Sequence, residues 1–219
     1  MALALAQTIR PLLREIAYRV VPGDRLIRRG PSTARRVALT FDDGPGLLTE
    51  QFLDVMDAHG AAGTFFLMGD HAEEHPGLVR EYVRRGHQIG IHGYDHKAFT
   101  ILDHRELDAQ LRASRMAIGA QPQGREWVRP PYGALDARSF AQLLARGNVI
   151  AMWSHESHDY KATDPEAVIA QCTPDKIAPG EVILLHEEMP ATLVALPRII
   201  DALHADGYEC VTMADLFAS

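Results

Sequence analysis

The chain has 219 residues, enough for one domain with a sizeable core, and 47% of them are hydrophobic, as in an ordinary globular protein. A net charge of −7 argues against a nucleic-acid surface, which needs a basic face to meet phosphates, and no run of about 20 apolar residues is present to span a bilayer as a helix. Two cysteines, Cys172 and Cys210, are too few and too far apart for a disulfide framework or a cysteine zinc site, so they read as core residues.

Charge is uneven along the chain. Residues 1–36 carry eight arginines against Glu15 and Asp24, a balance of +6 that leaves −13 to the remainder. In this segment Leu5, Ile9, Leu12, Leu13, Ile16 and Val20 recur at helical spacing, with Arg10 and Arg14 off that face and Pro11 as an early break. Residues 1–35 are therefore read as a basic amphipathic appendage, either packed on the domain beyond residue 35 or lying on a membrane surface as a peripheral contact. The opening residues lack a basic stretch ahead of an apolar core and Arg10 interrupts them early, so no secretory leader is read and a cytoplasmic location is expected.

From residue 36 short β-rich runs alternate with helical patterns and no internal repeat appears, the signature of a parallel α/β fold. In chain order the pattern predicts a strand over 36–42, a helix over 50–58, a strand over 64–68, a helix over 78–85 and a strand over 88–92. A helix over 106–118, a short strand over 127–129, a helix over 137–146 and a strand over 149–153 come next. The chain closes with a helix over 166–172, a strand over 182–186, a helix over 193–205 and a strand over 208–212. About seven strands suit a barrel or an open sheet, and the polar residues decide between them. The aspartate pair, His92, Arg129, Ser154, Glu156 and His186 fall at or just beyond the C-terminal ends of different strands. A (β/α) barrel gathers those ends around one axis, so residues 36–219 are expected to form one.

The first strand ends in Thr40-Phe41-Asp42-Asp43-Gly44-Pro45. Neighbouring strand residues point to opposite faces, so the pair needs an immediate turn, which Gly44-Pro45 supplies. The two carboxylates can then share a pocket, one binding a metal and the other taking a proton. Taken alone, an Asp-Gly after a strand reads equally as an Asx-turn or a helix cap. His92-Gly93-Tyr94-Asp95-His96 adds two imidazoles four apart, close enough to share a metal. Eleven histidines make such pairs common by chance. A second pair, His71 and His75, is discounted because it lies in a Glu-rich stretch beginning a surface helix, with no third ligand nearby. Asp43, His92 and His96 together make a two-His, one-carboxylate set that leaves positions open for water and substrate, with Asp42 in reach as a base.

Arg129-Pro130-Pro131-Tyr132-Gly133 ends the fourth strand, and its prolines stiffen the backbone so that the Tyr132 N–H can be aimed at a developing oxyanion. Pro-Pro-x-Gly also serves as an ordinary rigid loop. Residues 153–160 are dense in polar groups, and the apolar run 182–185 ends in His186 at the end of its strand that faces the expected pocket.

In this order the motifs resemble the polysaccharide deacetylases, the NodB-homology group or carbohydrate esterase family 4, over residues from about Arg36 to Phe217. The resemblance implies a distorted (β/α) barrel of about seven parallel strands behind a short N-terminal helical appendage, and a divalent metal, usually zinc, with Co2+, Ni2+ or Mn2+ as alternatives. It implies Asp42 as the general base, Asp43, His92 and His96 as metal ligands, and Arg129 as the tether of the base. It further implies Tyr132 as the oxyanion donor, Leu184 as part of the acetyl pocket and His186 as the general acid. Glu156 falls where the family has an Asp that orients that histidine. Asp159 matches the motif's second Asp and Tyr160 replaces a groove Trp, so both join Leu184 and Tyr132 as substrate-binding residues.

Three departures stand out. Gly93 replaces a Ser or Thr whose side-chain hydrogen bond steadies the ligand loop, Glu156 is one methylene longer than Asp, and Tyr160 offers a smaller stacking surface than Trp. The expected activity is metal-dependent hydrolysis of an acyl group, N-acetyl foremost, from an amino sugar or polysaccharide. The alternatives are a deformylase or an amide or ureide hydrolase acting on a lipid-linked sugar or small molecule, and a non-catalytic carbohydrate-binding module. Retention of Asp42 and His186 weighs against the last. The expected partner is an acetylated carbohydrate or lipid-linked sugar, and oligomeric state is left open.

Overall fold

The apolar run at 37–41 becomes the middle of the fold. The computed structural model describes residues 24–119 and 124–218, so the amphipathic helix expected over 5–20 lies outside the described residues. After a two-residue strand β1 (Leu26–Ile27) comes β2 (Arg36–Asp42), buried from Val37 onward on both faces. It runs parallel to β3 (Gly63–Leu67) on one side and to β8 (Val182–His186) on the other. Between these two lie, in chain order, β4 (Gln88–Ile91), β5 (Trp127–Val128), β6 (Val149–Ala151) and β7 (His155–Glu156).

Register sorts the side chains of β2 into two sets. Thr40 stands beside Thr64 and Leu184, and Asp42 beside Phe66 and His186, so the even positions face the barrel interior. Leu39 and Phe41 face outward and join the core beneath the helices with Phe52, Leu53, Phe65 and Ile199. Phe41 stacks on Phe65 at 4.7 Å between ring centres and meets Phe52 edge-on at 5.7 Å. Each such fully buried ring stabilises the fold by about 1.5–3 kcal/mol. A strand covered on both faces in this way is what a parallel sheet with helices outside requires.

The strand order is β1-β6-β5-β4-β3-β2-β8-β7, every pair parallel, and β9 (Glu209–Cys210) pairs with the lower end of β2. β6 and β7 stand apart in that order although only three residues separate them in the chain. Residues 152–154 bridge them, and Ser154 N–H donates to the Val182 carbonyl at 3.0 Å, so the sheet curls back on itself as a distorted barrel. Beyond β1, Gly30 N–H donates to the Gly180 carbonyl at 2.7 Å and Arg29 bridges to Glu181, which draws that edge toward β8. Eight parallel strands thus follow one another around the wall, against about seven expected. The two that went unpredicted, β1 and β7, are two residues long and carry no readable alternation.

Eight helices are described: α1 (Thr49–Ala58), α2 (Gly69–Glu74), α3 (Pro76–Arg84), α4 (His104–Ile118), α5 (Ala137–Ala145), α6 (Pro165–Gln171), α7 (Pro190–Ala205) and α8 (Met213–Phe217). Asp103 and Glu106 form a capping box that starts α4 at His104, two residues before its expected start. The start of α8 is bound to the barrel interior, with Met213 N–H on Thr64 Oγ1 at 2.9 Å and Ala214 N–H on Gln88 Oε1 at 2.8 Å. Three arginines of the basic segment pair with acids of the fold: Arg29 with Glu181 at 3.3 Å, Arg36 with Glu209 at 2.7 Å, and Arg35 with Asp206. Cys172 and Cys210 are free and buried, and burial pushes both thiols up to about 12. Among the described residues no helix is long and apolar enough to cross a membrane.

Candidate metal and catalytic site

β2 delivers Asp42 to the top of the barrel interior. Continuing as a strand would send Asp43 to the outer face, but the chain turns at Asp43 itself, whose φ is +75°. A non-glycine residue in that region costs of the order of 1 kcal/mol or more, and such strain collects at functional sites. The expected turn at Gly44-Pro45 therefore starts one residue early. Gly44 is fixed for another reason: a Cβ there would lie 2.0 Å from Glu187 Oε2 and 2.8 Å from the Tyr82 hydroxyl.

The turn brings Asp43 Oδ1 to 3.5 Å from His92 Nε2 and 3.3 Å from His96 Nε2. Among the described residues, Asp43, His92 and His96 are the cluster whose ligand atoms all lie within 4.8 Å of one another. Asp43 Oδ1 is buried and has no hydrogen-bond partner, an arrangement that costs free energy unless a cation or donor meets it. His92 Nδ1 lies 2.9 Å from the Arg129 carbonyl, which can only accept, so Nδ1 carries a proton and Nε2 is the atom turned toward Asp43. His96 Nδ1 lies 3.1 Å from the Tyr132 hydroxyl, so the far side of this ring is anchored as well. One carboxylate oxygen and two imidazole nitrogens, with their other atoms engaged elsewhere, fit a divalent cation of the zinc type.

Asp42 stands beside this set, with Oδ2 3.6 Å from His92 Nε2 and Oδ1 2.8 Å from Arg129 Nη1. Arg129 is fully buried. Its guanidinium also donates to Thr40 Oγ1 at 2.9 Å and the Met152 carbonyl at 3.3 Å, and lies 4.1 Å over the Phe66 ring. Burial pushes the Asp42 carboxyl up, but Arg129, then His92 and His186, outweigh it and hold the carboxyl below its ordinary range.

On the neighbouring strand His186 occupies the register position beside Asp42. Its Nδ1–H donates to Asp159 Oδ1 at 2.8 Å, while Asp159 Oδ2 accepts from His186 N–H at 2.7 Å and from Thr192 Oγ1 at 2.8 Å. Burial pulls the imidazole pKa down, yet the bond and charge of Asp159, with Asp42 and Asp43, raise it above its ordinary value.

This corrects two sequence assignments. Glu156 does not reach His186; it accepts from the Tyr160 hydroxyl at 3.0 Å and sits 3.4 Å from His158 Nδ1. Asp159 is completely buried, so it orients His186 and offers nothing to a substrate. Tyr160 stands edge-on to the His186 ring at 5.5 Å and is 44% exposed, and Tyr132, with φ +60°, is 70% exposed beside His96. Leu184 is buried on the inward face next to Thr40.

Several supporting residues escaped the sequence reading. His71, discounted as a ligand, donates from Nδ1 to the Asp43 carbonyl at 3.0 Å and so braces the strained turn. Glu187, Tyr82 and Thr49 form a buried network under Gly44: the Tyr82 hydroxyl lies 2.6 Å from Glu187 Oε1, which also accepts from Thr49, and Gly46 N–H donates to Thr49 Oγ1 at 2.8 Å. Burial raises the Glu187 carboxyl to about 7. Only the position of a Glu at the end of an apolar strand hinted at it.

A sequence profile described as polysaccharide deacetylase matches residues 29–148, more than half of the chain. The chain belongs to the polysaccharide deacetylase family. A chitooligosaccharide deacetylase of Sinorhizobium fredii is 30% identical over 84% of this chain and 93% of its own length. A peptidoglycan-N-acetylglucosamine deacetylase of Listeria monocytogenes is 31% identical over 84% of this chain, which spans only 39% of that relative. A solved peptidoglycan N-acetylglucosamine deacetylase, crystallised with a naphthalenyl N-oxidanyl-benzamide, superposes with a TM-score of 0.82 at 30% identity, covering 89% of this chain and 93% of the other.

The backbone gives a reason for the glycine at 93. Gly93 takes φ +82°, and a Cβ there would press on Pro131 Cγ at 3.3 Å and Phe99 Cε1 at 3.4 Å. A Ser or Thr in this conformation would be strained.

Proposed function

We propose that this chain is a metal-dependent hydrolase that removes N-acetyl groups from N-acetylglucosamine-type sugars. The observation that carries the reading is Asp43 Oδ1, partnerless and 3.5 and 3.3 Å from two imidazole nitrogens beside a buried Asp-Arg pair. The relatives in Sinorhizobium and Listeria and the solved neighbour are deacetylases of chitooligosaccharides and of peptidoglycan N-acetylglucosamine, which supports the acetyl group and the sugar class.

Asp43, His92 and His96 would hold the cation, which when bound supplies Lewis acidity, acidifying a water toward neutral pKa and polarising the acyl carbonyl. Asp42, kept ionised by Arg129, takes the proton as water attacks the acyl carbon. The carbonyl oxygen gains charge as the new C–O bond forms, and the Tyr132 backbone N–H is the donor assigned to it. His186, whose protonated form Asp159 favours, gives its proton to the nitrogen as the C–N bond breaks. That proton is needed because an amide anion is a very poor leaving group at neutral pH. Acetate and a free amine result. The exposed rings of Tyr132 and Tyr160 are the surfaces assigned to the sugar faces.

The test is to incubate the purified chain with chitooligosaccharides, peptidoglycan fragments, formylated lipid-linked sugars and small ureides, measuring acetate, formate and ammonia. Acetate release that is lost in His186→Ala with metal content unchanged supports the reading. Formate or ammonia without acetate transfers the assignment to the deformylase or ureide alternative, and bound metal without turnover on any substrate makes the chain a binding module.

A further inference from the structure

His92 and His96 belong to one short loop but are held differently. His92 is fixed by its bond to the Arg129 carbonyl at the end of β5. His96 comes four residues later, past the left-handed Gly93, with its own φ at +57°. Gly93, at φ +82°, gives the loop no side-chain hydrogen bond of its own. The His96 ring is anchored through Nδ1 to the Tyr132 hydroxyl at 3.1 Å, but the backbone that carries it is held from elsewhere.

Gln110, in the second turn of α4, meets the residues between the two histidines. Its Oε1 accepts from Tyr94 N–H at 2.8 Å and, at 3.4 Å, from Asp95 N–H, while its Nε2 donates to Asp95 Oδ1 at 2.7 Å. The two backbone donors fix the amide orientation, because only the oxygen can accept from them. The loop carbonyls are held from the opposite side, Gly93 O by Gly69 N–H and Tyr94 O by Asp70 N–H, both at 3.0 Å. Asp95 is also paired through Oδ2 with Lys97 Nζ at 2.6 Å. One side chain of α4 thus binds the donor edge of the loop and the carboxylate next to His96, while the start of α2 binds its acceptor edge.

We propose that Gln110 is the positioning residue that sets the backbone of this loop, and with it His96, for metal binding. It touches neither the cation site nor substrate and acts through the backbone of Tyr94 and Asp95. Removing it leaves loop N–H groups unpaired, so the loop relaxes and the three-ligand set loosens. The inference rests on the proposed metal site, and its test keeps the two apart.

The experiment measures the zinc dissociation constant by competition with a chromophoric chelator, alongside the melting temperature of the metal-free protein, for wild type, Gln110→Ala, Gln110→Glu and Gln110→Glu combined with Asp95→Asn. Gln110→Ala is expected to weaken zinc binding about 10-fold or more, in the range found for residues that orient metal ligands. Gln110→Glu keeps the acceptor for the loop N–H groups but sets a second carboxylate against Asp95, and should also weaken binding. Adding Asp95→Asn returns a donor–acceptor pair in reversed order and should recover most of the affinity. A residue that only packs α4 would lower the melting temperature and leave affinity unchanged. Wild-type zinc affinity in Gln110→Glu, or in a folded Gln110→Ala, overturns the proposal. If wild type itself takes up no zinc, the function reading fails and this inference with it.

Discussion

Arg129 Nη1 and Asp42 Oδ1 stand 2.8 Å apart inside the barrel, with both side chains sealed from solvent. Two buried charges in one bond are costly unless their remaining atoms are also engaged, and Arg129 spreads its donors over Thr40, the Ala151 and Met152 carbonyls and Asp42. The pair keeps a charged carboxylate in a place where burial alone would neutralise it.

Arg129→Ala should therefore cost about 3–5 kcal/mol of stability, the penalty of stranding a buried charge. Arg129→Lys, which retains a charge but not the fork, should cost less. Without the guanidinium the Asp42 carboxyl rises, so the acid limb of kcat/KM moves to higher pH. The linked stability runs the same way: the contribution of a carboxyl held below 3.8 is present above that pH and lost as pH falls through its folded value. Urea denaturation and a pH–rate profile check both; an acid limb unmoved in a folded Arg129→Gln, which removes the charge that Arg129→Lys keeps, would count against Asp42 as the base.

The second prediction separates Asp159 from Glu156. His186 has a folded pKa above 6.5, so its linked stability is full below 6.5 and is lost as pH rises through the folded value. As an acid it must be protonated, and Asp159 extends the range over which it is. Asp159→Asn should pull the alkaline limb of the pH–rate profile toward acid and lower kcat about 10²-fold or more. Glu156→Gln should leave that limb where it is. The reverse pattern would return to Glu156 the orienting role expected from its place in the motif.

Glu187 provides a stability prediction. A carboxyl raised from 4.5 to about 7 by burial binds its proton more tightly in the folded chain, so the stability linked to it declines as pH rises through that window. Glu187→Gln has no proton to lose, and its unfolding free energy should be flatter than that of wild type between about pH 5 and pH 8. Parallel slopes for the two proteins would show that Glu187 is not the group that titrates.

The parts of the site that were legible in the sequence are those joined directly to strands. Asp42, Asp43, His92, Arg129 and His186 each follow an apolar run, and a parallel barrel turns "end of a strand" into "one face". The roles of Glu156 and Asp159 were not legible, because between them the chain passes His158 at φ +57° and enters a single 3-10 turn over Asp159–Lys161. No periodicity predicts which of two acids such a turn directs inward. β7 was lost for the same reason, since a two-residue strand gains its identity only from pairing with β8. Gln110 was invisible because it sits on a helix, 15 residues from the Asp95 N–H it binds, in a position where a surface glutamine would be ordinary.

The most direct measurement is the metal content of the purified chain by elemental analysis, with Asp43→Ala and His92→Ala as variants and acetate release followed in the same samples. One divalent cation per wild-type chain is expected, lost together with acetate release in both variants and, for wild type, on chelation, with activity regained when zinc is returned. A wild-type chain that releases acetate without a bound cation, or variants that keep the cation at full stoichiometry, would contradict a metal centre built from Asp43, His92 and His96.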